Sequence, residues 1–130
     1  MIDVGLVRLY GRFVAAGIPC FVGGSIASMV YAEPRATLDI DLVIDALPGD
    51  AERILAAFPE EEHYVPPIEV VRRELAKGDQ GQFNIIEFAS GLKVDCYPAG
   101  GDPLISFGFT HAQDVTIAGA SIRVAPAAYI

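Results

Sequence analysis

Residues 37–44 read Thr-Leu-Asp-Ile-Asp-Leu-Val-Ile, and this stretch carries most of the information about the fold. Its even-numbered residues are all apolar, which is the period of a β-strand with one buried face. Asp39 and Asp41 therefore lie on the same side of the strand, about 7 Å apart along the backbone. Aspartate is uncommon in strands and two carboxylates repel each other, so the pair indicates either a solvated edge strand or a site for a divalent cation.

A glycine turn precedes this strand. Residues 18–22 are predicted to form a short buried strand, and Gly23-Gly24-Ser25 to form the turn that leads into a helix capped by Ser25. Free backbone N–H groups at the start of a helix attract anions, and glycine allows a phosphate to approach closely. The same three residues also fit an ordinary strand-to-helix turn, so the turn is a candidate phosphate-binding loop only in combination with the acidic pair.

A third carboxylate follows on a later strand. Segments 82–89 and 92–97 are predicted to form a hairpin around Ser90-Gly91, with Asp95 on the same strand face as Lys93 and Tyr97. One carboxylate on a half-polar strand is usually a surface residue. If this strand lies beside the strand of the acidic pair, however, Asp95 completes a three-carboxylate cluster for two divalent ions about 4 Å apart.

The remaining pattern predicts a single domain of helices and strands, which we assign to residues 1–130. Pro126 followed by good helix formers predicts the first turn of another helix, so we expect the natural protein to continue into a helical region or to have been cut to this domain. Further helices are predicted over 2–16, 51–58 and 68–77, a loop over 59–67, and a second hairpin from strands 115–118 and 121–124 around Gly119-Ala120.

Composition restricts the class of protein. The chain has 130 residues, 52% of them hydrophobic, and a net charge of −8, which argues against a broad nucleic-acid surface. The cations Arg72, Arg73 and Lys77 fit either a solvated helix face or a local patch for nucleotide or RNA. No apolar run is long enough to cross a bilayer. The high apolar fraction is consistent with a buried interface, such as that of a homo-oligomer.

The two cysteines, Cys20 and Cys96, each lie inside an apolar segment. We expect buried, reduced thiols and therefore a cytoplasmic protein. A zinc site is disfavoured, because His63 and His111 are scattered along the chain and the sequence offers few other zinc ligands.

Taken in order, Gly23-Gly24-Ser25, Asp39-Ile40-Asp41-Leu42 and Val94-Asp95-Cys96 resemble the signature of the DNA polymerase beta-like nucleotidyltransferase superfamily. The segment Arg35-Ala36-Thr37-Leu38 makes the extended motif similar to that of small bacterial members. Those members include the minimal nucleotidyltransferases and the abortive-infection toxin type of toxin–antitoxin pairs. The resemblance covers about residues 18–98. The family usually continues into a helical region that often shapes the acceptor site, whereas this sequence stops before one.

The resemblance implies an α+β, nucleotidyltransferase-like fold with a mixed sheet flanked by helices, and a Mg²⁺- or Mn²⁺-dependent reaction. A nucleotide monophosphate would pass from an NTP to a hydroxyl of RNA, a protein or a small molecule, possible partners being a cognate toxin or antitoxin. It implies that Asp39 and Asp41 bind both metals and that Asp95 binds the catalytic metal beside the acceptor hydroxyl. The residues implied to bind the nucleotide are Gly23, Gly24, Ser25, Arg35 and Thr37.

Several alternatives stay open from the sequence. Arg35 fits a surface ion pair with Glu33 or Asp50 as well as a contact to a phosphate, and Lys93 beside Asp95 is equally ambiguous. The domain as a whole fits a non-catalytic module of the same fold that binds a nucleotide or a partner protein. It also fits an unrelated α/β phosphate-binding domain whose aspartates are structural.

Overall fold

The computed structural model describes residues 2–23, 39–100, 109 and 111–125, and for residues 2 and 3 it describes the backbone alone. The helices are α1 (Ile2–Ala15), α2 (Ala51–Ala57) and α3 (Ile68–Ala76), with 3₁₀ turns at Pro48–Asp50 and Gly78–Gln80. The strands are β1 (Cys20–Val22), β2 (Asp39–Ile44), β3 (His63–Tyr64), β4 (Phe83–Glu87), β5 (Lys93–Pro98), β6 (Gln113–Ile117) and β7 (Ala120–Val124).

All seven strands form one mixed sheet in the order β3-β4-β5-β2-β1-β7-β6. The pairs β2–β5 and β1–β7 are parallel, and the other neighbouring pairs are antiparallel. Strand β2 is the fourth of the seven, with β5 on one side and β1 on the other. The acidic pair therefore lies on a central strand, and the interpretation of residues 37–44 as a solvated edge strand is wrong.

The helices cover one face of the sheet and enclose the main core. They bury the even-numbered residues of β2 together with alternate residues of β4 and β5, as the period of two predicts. The ring centroids of Phe13 on α1 and of Phe58, which follows α2, lie 4.9 Å apart, so α1 packs against the end of α2. The largest fully buried side chains of this core are Leu9, Phe13, Ile18, Ile40, Leu42, Ile44, Ile54, Phe58, Ile85, Leu92 and Ile122.

The opposite face of the sheet carries a smaller apolar cluster. Phe21 and Val43 are buried there with Ala99 and Ala125, and Phe109 packs against them. Phe21 and Phe109 meet edge to face, with ring centroids 4.8 Å apart. Because Phe21 pairs with Val43 in the sheet, this cluster lies on the strand face that also carries Asp41.

The predicted elements agree with the structure to within two residues at their ends, apart from three local differences. Strand β3 lies inside the predicted 59–67 loop, where two residues are too short a segment to show a period. The predicted turn before α2 is a 3₁₀ turn. The second hairpin turns at Ala118-Gly119, one residue earlier than predicted, because both residues have positive φ and so match a twisted two-residue loop. The helices predicted after Ser25 and from Pro126 lie outside the described residues.

Both cysteines are free and buried, as predicted. Burial raises the pKa of Cys20 to about 12, and it raises that of Cys96 well above its usual value. The two thiols therefore act as small apolar side chains of the core. None of the helices in the described ranges has the length and apolar character needed to cross a bilayer.

Glu74 is a buried acid at the end of α3, only 8% exposed. Its carboxylate accepts hydrogen bonds from Lys77 Nζ at 2.8 Å, Arg73 Nε at 3.2 Å and the Gln82 backbone N–H at 3.1 Å. The bonds from Lys77 and Gln82 contribute most to lowering the pKa of Glu74 to about 2. The carboxylate is thus ionised at neutral pH, and it ties the end of α3 to Gln82, the residue just before β4.

This low pKa makes a prediction about stability and pH. Because the pKa of Glu74 is lower in the folded chain than its usual 4.5, its stabilising effect is complete above pH 4.5 and is lost as the pH falls towards 2. In urea titrations across this range we expect the free energy of unfolding to fall less for Glu74→Gln than for the wild type. Glu60→Gln, an exposed acid, serves as the control and should follow the wild type. Parallel curves for the wild type and Glu74→Gln would contradict the assignment.

Candidate active site

Two aspartates lie side by side on the central strand pair, β2 and β5. In the parallel pairing of β2 with β5, Asp41 is the direct partner of Asp95, and Asp39 is the partner of Lys93. Directly paired residues of neighbouring strands share a face and lie about 5 Å apart at Cα. Both Asp41 and Asp95 are half-buried, whereas Asp39 is exposed. The predicted condition for a shared site, that the strand of Asp95 lies beside that of the acidic pair, is met.

Gly23 at the end of β1 lies directly against Asp41. Its backbone N–H donates to the Asp41 carbonyl at 2.8 Å. A Cβ at position 23 would lie 3.2 Å from Asp41 Cβ and 3.4 Å from the Asp41 carbonyl oxygen. A side chain here would press on the aspartate, so a glycine keeps the end of β1 close to the acid. The first residue of the predicted glycine turn is thus adjacent to the acidic site.

The electrostatics show that the carboxylates act on one another. The pKa of Asp41 is raised, first by burial and then by the charges of Asp95 and Asp39. The pKa of Tyr97, next along the same face of β5, is raised by burial and by Asp41 and Asp95. Clustered acids of this kind cost folding energy unless a cation neutralises them. This arrangement is typical of a functional site.

Asp95 is held by two neighbours. Gln82 Nε2 donates to Asp95 Oδ1 at 3.2 Å, and Lys93 Nζ lies 3.7 Å from the same oxygen. Asn84 is the direct partner of Asp95 in the antiparallel pairing of β4 with β5. The side of Asp95 away from Asp41 is therefore occupied by Asn84, while Lys93 precedes Asp95 by two residues on β5 itself. Of the two interpretations of Lys93, the structure shows the ion pair with Asp95.

A row of apolar residues borders the acids towards the C-terminal ends of β2 and β5. Tyr97 of β5 is paired with Val43 of β2, and Val43 with Phe21 of β1. The face of the sheet thus changes from charged at Asp39 to apolar at Val43 within a single strand. Such a border gives a ligand an apolar surface beside the carboxylates.

The other predicted nucleotide-binding residues, Gly24, Ser25, Arg35 and Thr37, lie outside the described residues. Across residues 2–23, 39–100, 109 and 111–125, no group of three or more His, Cys, Asp or Glu side chains is arranged to hold a metal ion. The binding of metal by Asp39, Asp41 and Asp95 as a set stays a prediction. The paired acids Asp41 and Asp95 do fit Mg²⁺ by their chemistry, because Mg²⁺ commonly takes one or two carboxylates and completes its shell with water and phosphate.

Sequence reasoning missed Gln82 and Asn84 as neighbours of the site. A strand period shows which residues share a face, but it does not show which residue of the next strand lies opposite. The register of β4 on β5 decides this, and no residue type in the segment signals it. The position of Tyr97 was predictable, because it lies two residues after Asp95 and residues two apart on a strand share a face.

Arg72 and Arg73 of α3, and Lys77 just after it, each contact an acid. Arg72 contacts Glu52, and both Arg73 and Lys77 contact Glu74. These contacts between exposed cations and acids favour the interpretation as a solvated helix face over that as a patch for nucleotide or RNA.

Comparison with solved structures supports the architecture through one of them. Neither a protein-family model nor a curated protein sequence matches the chain. Among solved structures, a provisionally assigned nucleotidyltransferase from Thermotoga maritima superimposes with a TM-score of 0.58 at 17% identity, over 97% of this chain and 78% of that one. The CCA-adding enzyme in complex with ATP gives a TM-score of 0.49 at 20% identity, over 95% of this chain and 27% of that one. The Thermotoga maritima structure and the mixed sheet together confirm the predicted nucleotidyltransferase-like α+β fold.

Proposed function

We propose that this protein is a metal-dependent nucleotidyltransferase. It would transfer a nucleotide monophosphate from an NTP to a hydroxyl group of RNA, a protein or a small molecule, with pyrophosphate leaving. The observation that carries the proposal is the direct pairing of Asp41 with Asp95 on the central strands, beside Gly23. The fold shared with the Thermotoga maritima protein supports it.

The residues divide the work in a definite way under this proposal. Asp39 and Asp41 would hold both metal ions, and Asp95 would hold the one beside the acceptor hydroxyl. When bound, Mg²⁺ or Mn²⁺ would offset the negative charge of the phosphates and lower the pKa of the acceptor hydroxyl. Asp95 would also take the proton from that hydroxyl. Gly24 and Ser25 would bind the β- and γ-phosphates, and Gly23, Arg35 and Thr37 would contact the nucleotide.

The proposal extends to the setting in which the enzyme acts. We place it in the cytoplasm, in keeping with its two free and buried thiols. A protein partner, either the other member of a toxin–antitoxin pair or a second copy of this chain, belongs to the same proposal. It is supported by the high apolar fraction of the sequence, 52%.

One titration tests the metal site. Each of the four NTPs is titrated by calorimetry into the wild type and into Asp39→Ala/Asp41→Ala, with and without Mg²⁺. We expect Mg²⁺-dependent binding to the wild type, and its loss in the double variant, because the paired carboxylates are the cation's ligands. Asp45→Asn, an exposed acid just beyond β2, is the control and should bind as the wild type does. Binding that ignores both Mg²⁺ and the double substitution would overturn the proposal.

A second experiment separates the enzyme from a binding module. The full-length protein is incubated with α-labelled NTP, total RNA and cell protein, and the label is followed on gels. Transfer of label to either fraction supports the enzyme and identifies the class of acceptor. Metal-dependent NTP binding without any transfer would favour the non-catalytic module of the same fold.

A further inference from the structure

We propose that Gln82 is a positioning residue for Asp95, and that the buried carboxylate of Glu74 fixes Gln82 in turn. This inference rests on the proposed function, because it assigns to Gln82 the task of orienting an acid that binds the metal. It adds a second layer of residues, drawn from α3 and the start of β4, to a site that the motifs place on β1, β2 and β5.

The first step is the contact at Asp95. The Gln82 amide donates to Asp95 Oδ1 at 3.2 Å, which is within hydrogen-bond range for an N–H donor. Lys93 Nζ is 3.7 Å from the same atom, close enough for charge attraction but too far for a directional bond. Among the described residues, Gln82 is therefore the group that fixes the rotation of this carboxylate, and it leaves Oδ2 for another ligand.

The second step is what fixes Gln82 itself. Its side chain is exposed, so packing alone would leave it free to rotate. Its backbone, however, is held, because the N–H donates to Glu74 Oε1 at 3.1 Å. The preceding residue is equally constrained: a Cβ at Gly81 would lie 1.9 Å from the Glu74 carbonyl oxygen. The two residues that precede β4 are thus both held by Glu74: Gln82 by its side-chain carboxylate and Gly81 by close packing against its backbone carbonyl.

The third step concerns what holds Glu74. Lys77 and Arg73 both contact its Oε2, while Oε1 accepts the Gln82 N–H. The two cations neutralise the buried charge, so Glu74 can stay ionised and oriented. A chain of contacts therefore runs from the end of α3 through the backbone of Gln82 to the carboxylate of Asp95.

The consequence is a preorganised metal ligand. Outer-layer partners of metal-binding side chains typically affect metal affinity or activity by roughly 10- to 100-fold, because they fix the orientation of the ligand. Since Gln82 touches Asp95 and not the acidic pair on β2, its loss should act on metal binding and on turnover. The NTP-binding step should change much less.

The test compares two glutamines of the same short segment. Gln82→Met keeps the length of the side chain but removes the donor, and Gln80→Met, exposed in the 3₁₀ turn, is the matched control. Mn²⁺ binding without NTP is measured by the electron paramagnetic resonance signal of free Mn²⁺, and kcat and KM for the NTP are measured separately. We expect Gln82→Met to weaken Mn²⁺ binding and lower kcat, each by about tenfold, with KM within about threefold of the wild type. Gln80→Met should match the wild type.

The outcomes separate this inference from the proposed function. If Mn²⁺ binds equally well to the wild type and to Asp39→Ala/Asp41→Ala, the metal site is wrong and the inference falls with it. If the double variant loses Mn²⁺ but Gln82→Met matches Gln80→Met in Mn²⁺ affinity and kcat, only the inference is overturned. Thermal unfolding of both methionine variants checks that the fold is unchanged, which the exposure of both side chains leads us to expect.

Discussion

Replacement of Asp41 by asparagine is expected to abolish nucleotide transfer and, at the same time, to stabilise the fold. Under the proposed function the carboxylate binds metal that contributes several kcal/mol to transition-state stabilisation. At about 1.4 kcal/mol for each tenfold, its loss should lower kcat by roughly a thousandfold or more. The assay is transfer from α-labelled NTP to the acceptor identified in the labelling experiment.

The gain in stability has a separate physical cause. Because burial, Asp95 and Asp39 raise the pKa of Asp41, its charged form is less favourable in the folded chain than in the unfolded chain. Its charge therefore lowers stability at neutral pH, and stability recovers as the pH falls through the raised pKa. Asparagine removes the charge, so we expect a higher Tm at pH 7 in metal-free buffer. We expect no such gain below the usual aspartate pKa of 3.8, where the carboxyl is protonated in both the folded and the unfolded chain.

Asp45→Asn is the control for both effects. Asp45 follows β2 and is exposed, so its substitution should change neither transfer nor Tm. Full transfer by Asp41→Asn would overturn its catalytic role, whatever its stability. A lower Tm for Asp41→Asn would show instead that its carboxylate makes a stabilising contact in the fold.

The second large effect is expected from Gly81→Ala. The added Cβ would lie 1.9 Å from the carbonyl oxygen of Glu74 and 2.8 Å from its carbonyl carbon. Both atoms belong to the backbone at the end of α3, so they cannot move aside without displacing the helix. We expect a loss of about 3 kcal/mol in the free energy of unfolding, at the upper end of the usual cost of overpacking. Urea titration measures this loss.

Gly49→Ala is the matched control for this substitution. A Cβ at Gly49 meets no atom within 4 Å and the residue is exposed, so we expect a change within about 0.5 kcal/mol. Because Gly81 precedes Gln82, Gly81→Ala should also weaken Mn²⁺ binding where the protein remains folded. Equal stability of the two alanine variants would show that the contact between Gly81 and Glu74 is looser than the structure indicates.

Much of the site was predictable from local pattern. The alternation along residues 37–44 placed Asp39 and Asp41 on one face, because strand side chains alternate with a period of two, whatever the partner strand. The same reasoning placed Asp95 with Tyr97. Helix and strand types followed from local periodicity and turn residues, and they failed mainly for β3, whose two residues show no period.

Partners across strands were not predictable in the same way. That Asp41 is paired with Asp95, and that Gln82 reaches Asp95, depends on strand order and register between segments more than ten residues apart. Register is chosen by the burial of all apolar faces at once, so no single segment contains the information. The burial of Glu74 and its ties to Gln82 are decided by the packing of α3 against the sheet.

The sequence by itself determined which residues share a strand face and hence that three aspartates could meet. Only the tertiary structure decided that β2 is central and that Asp41 is paired with Asp95 beside Gly23. It also decided that Gln82 donates a hydrogen bond to Asp95 and another to Glu74. The physical reason is the range of the forces involved. Side-chain direction along a strand is set by local backbone geometry, whereas the pairing of distant strands is set by the burial of a common core.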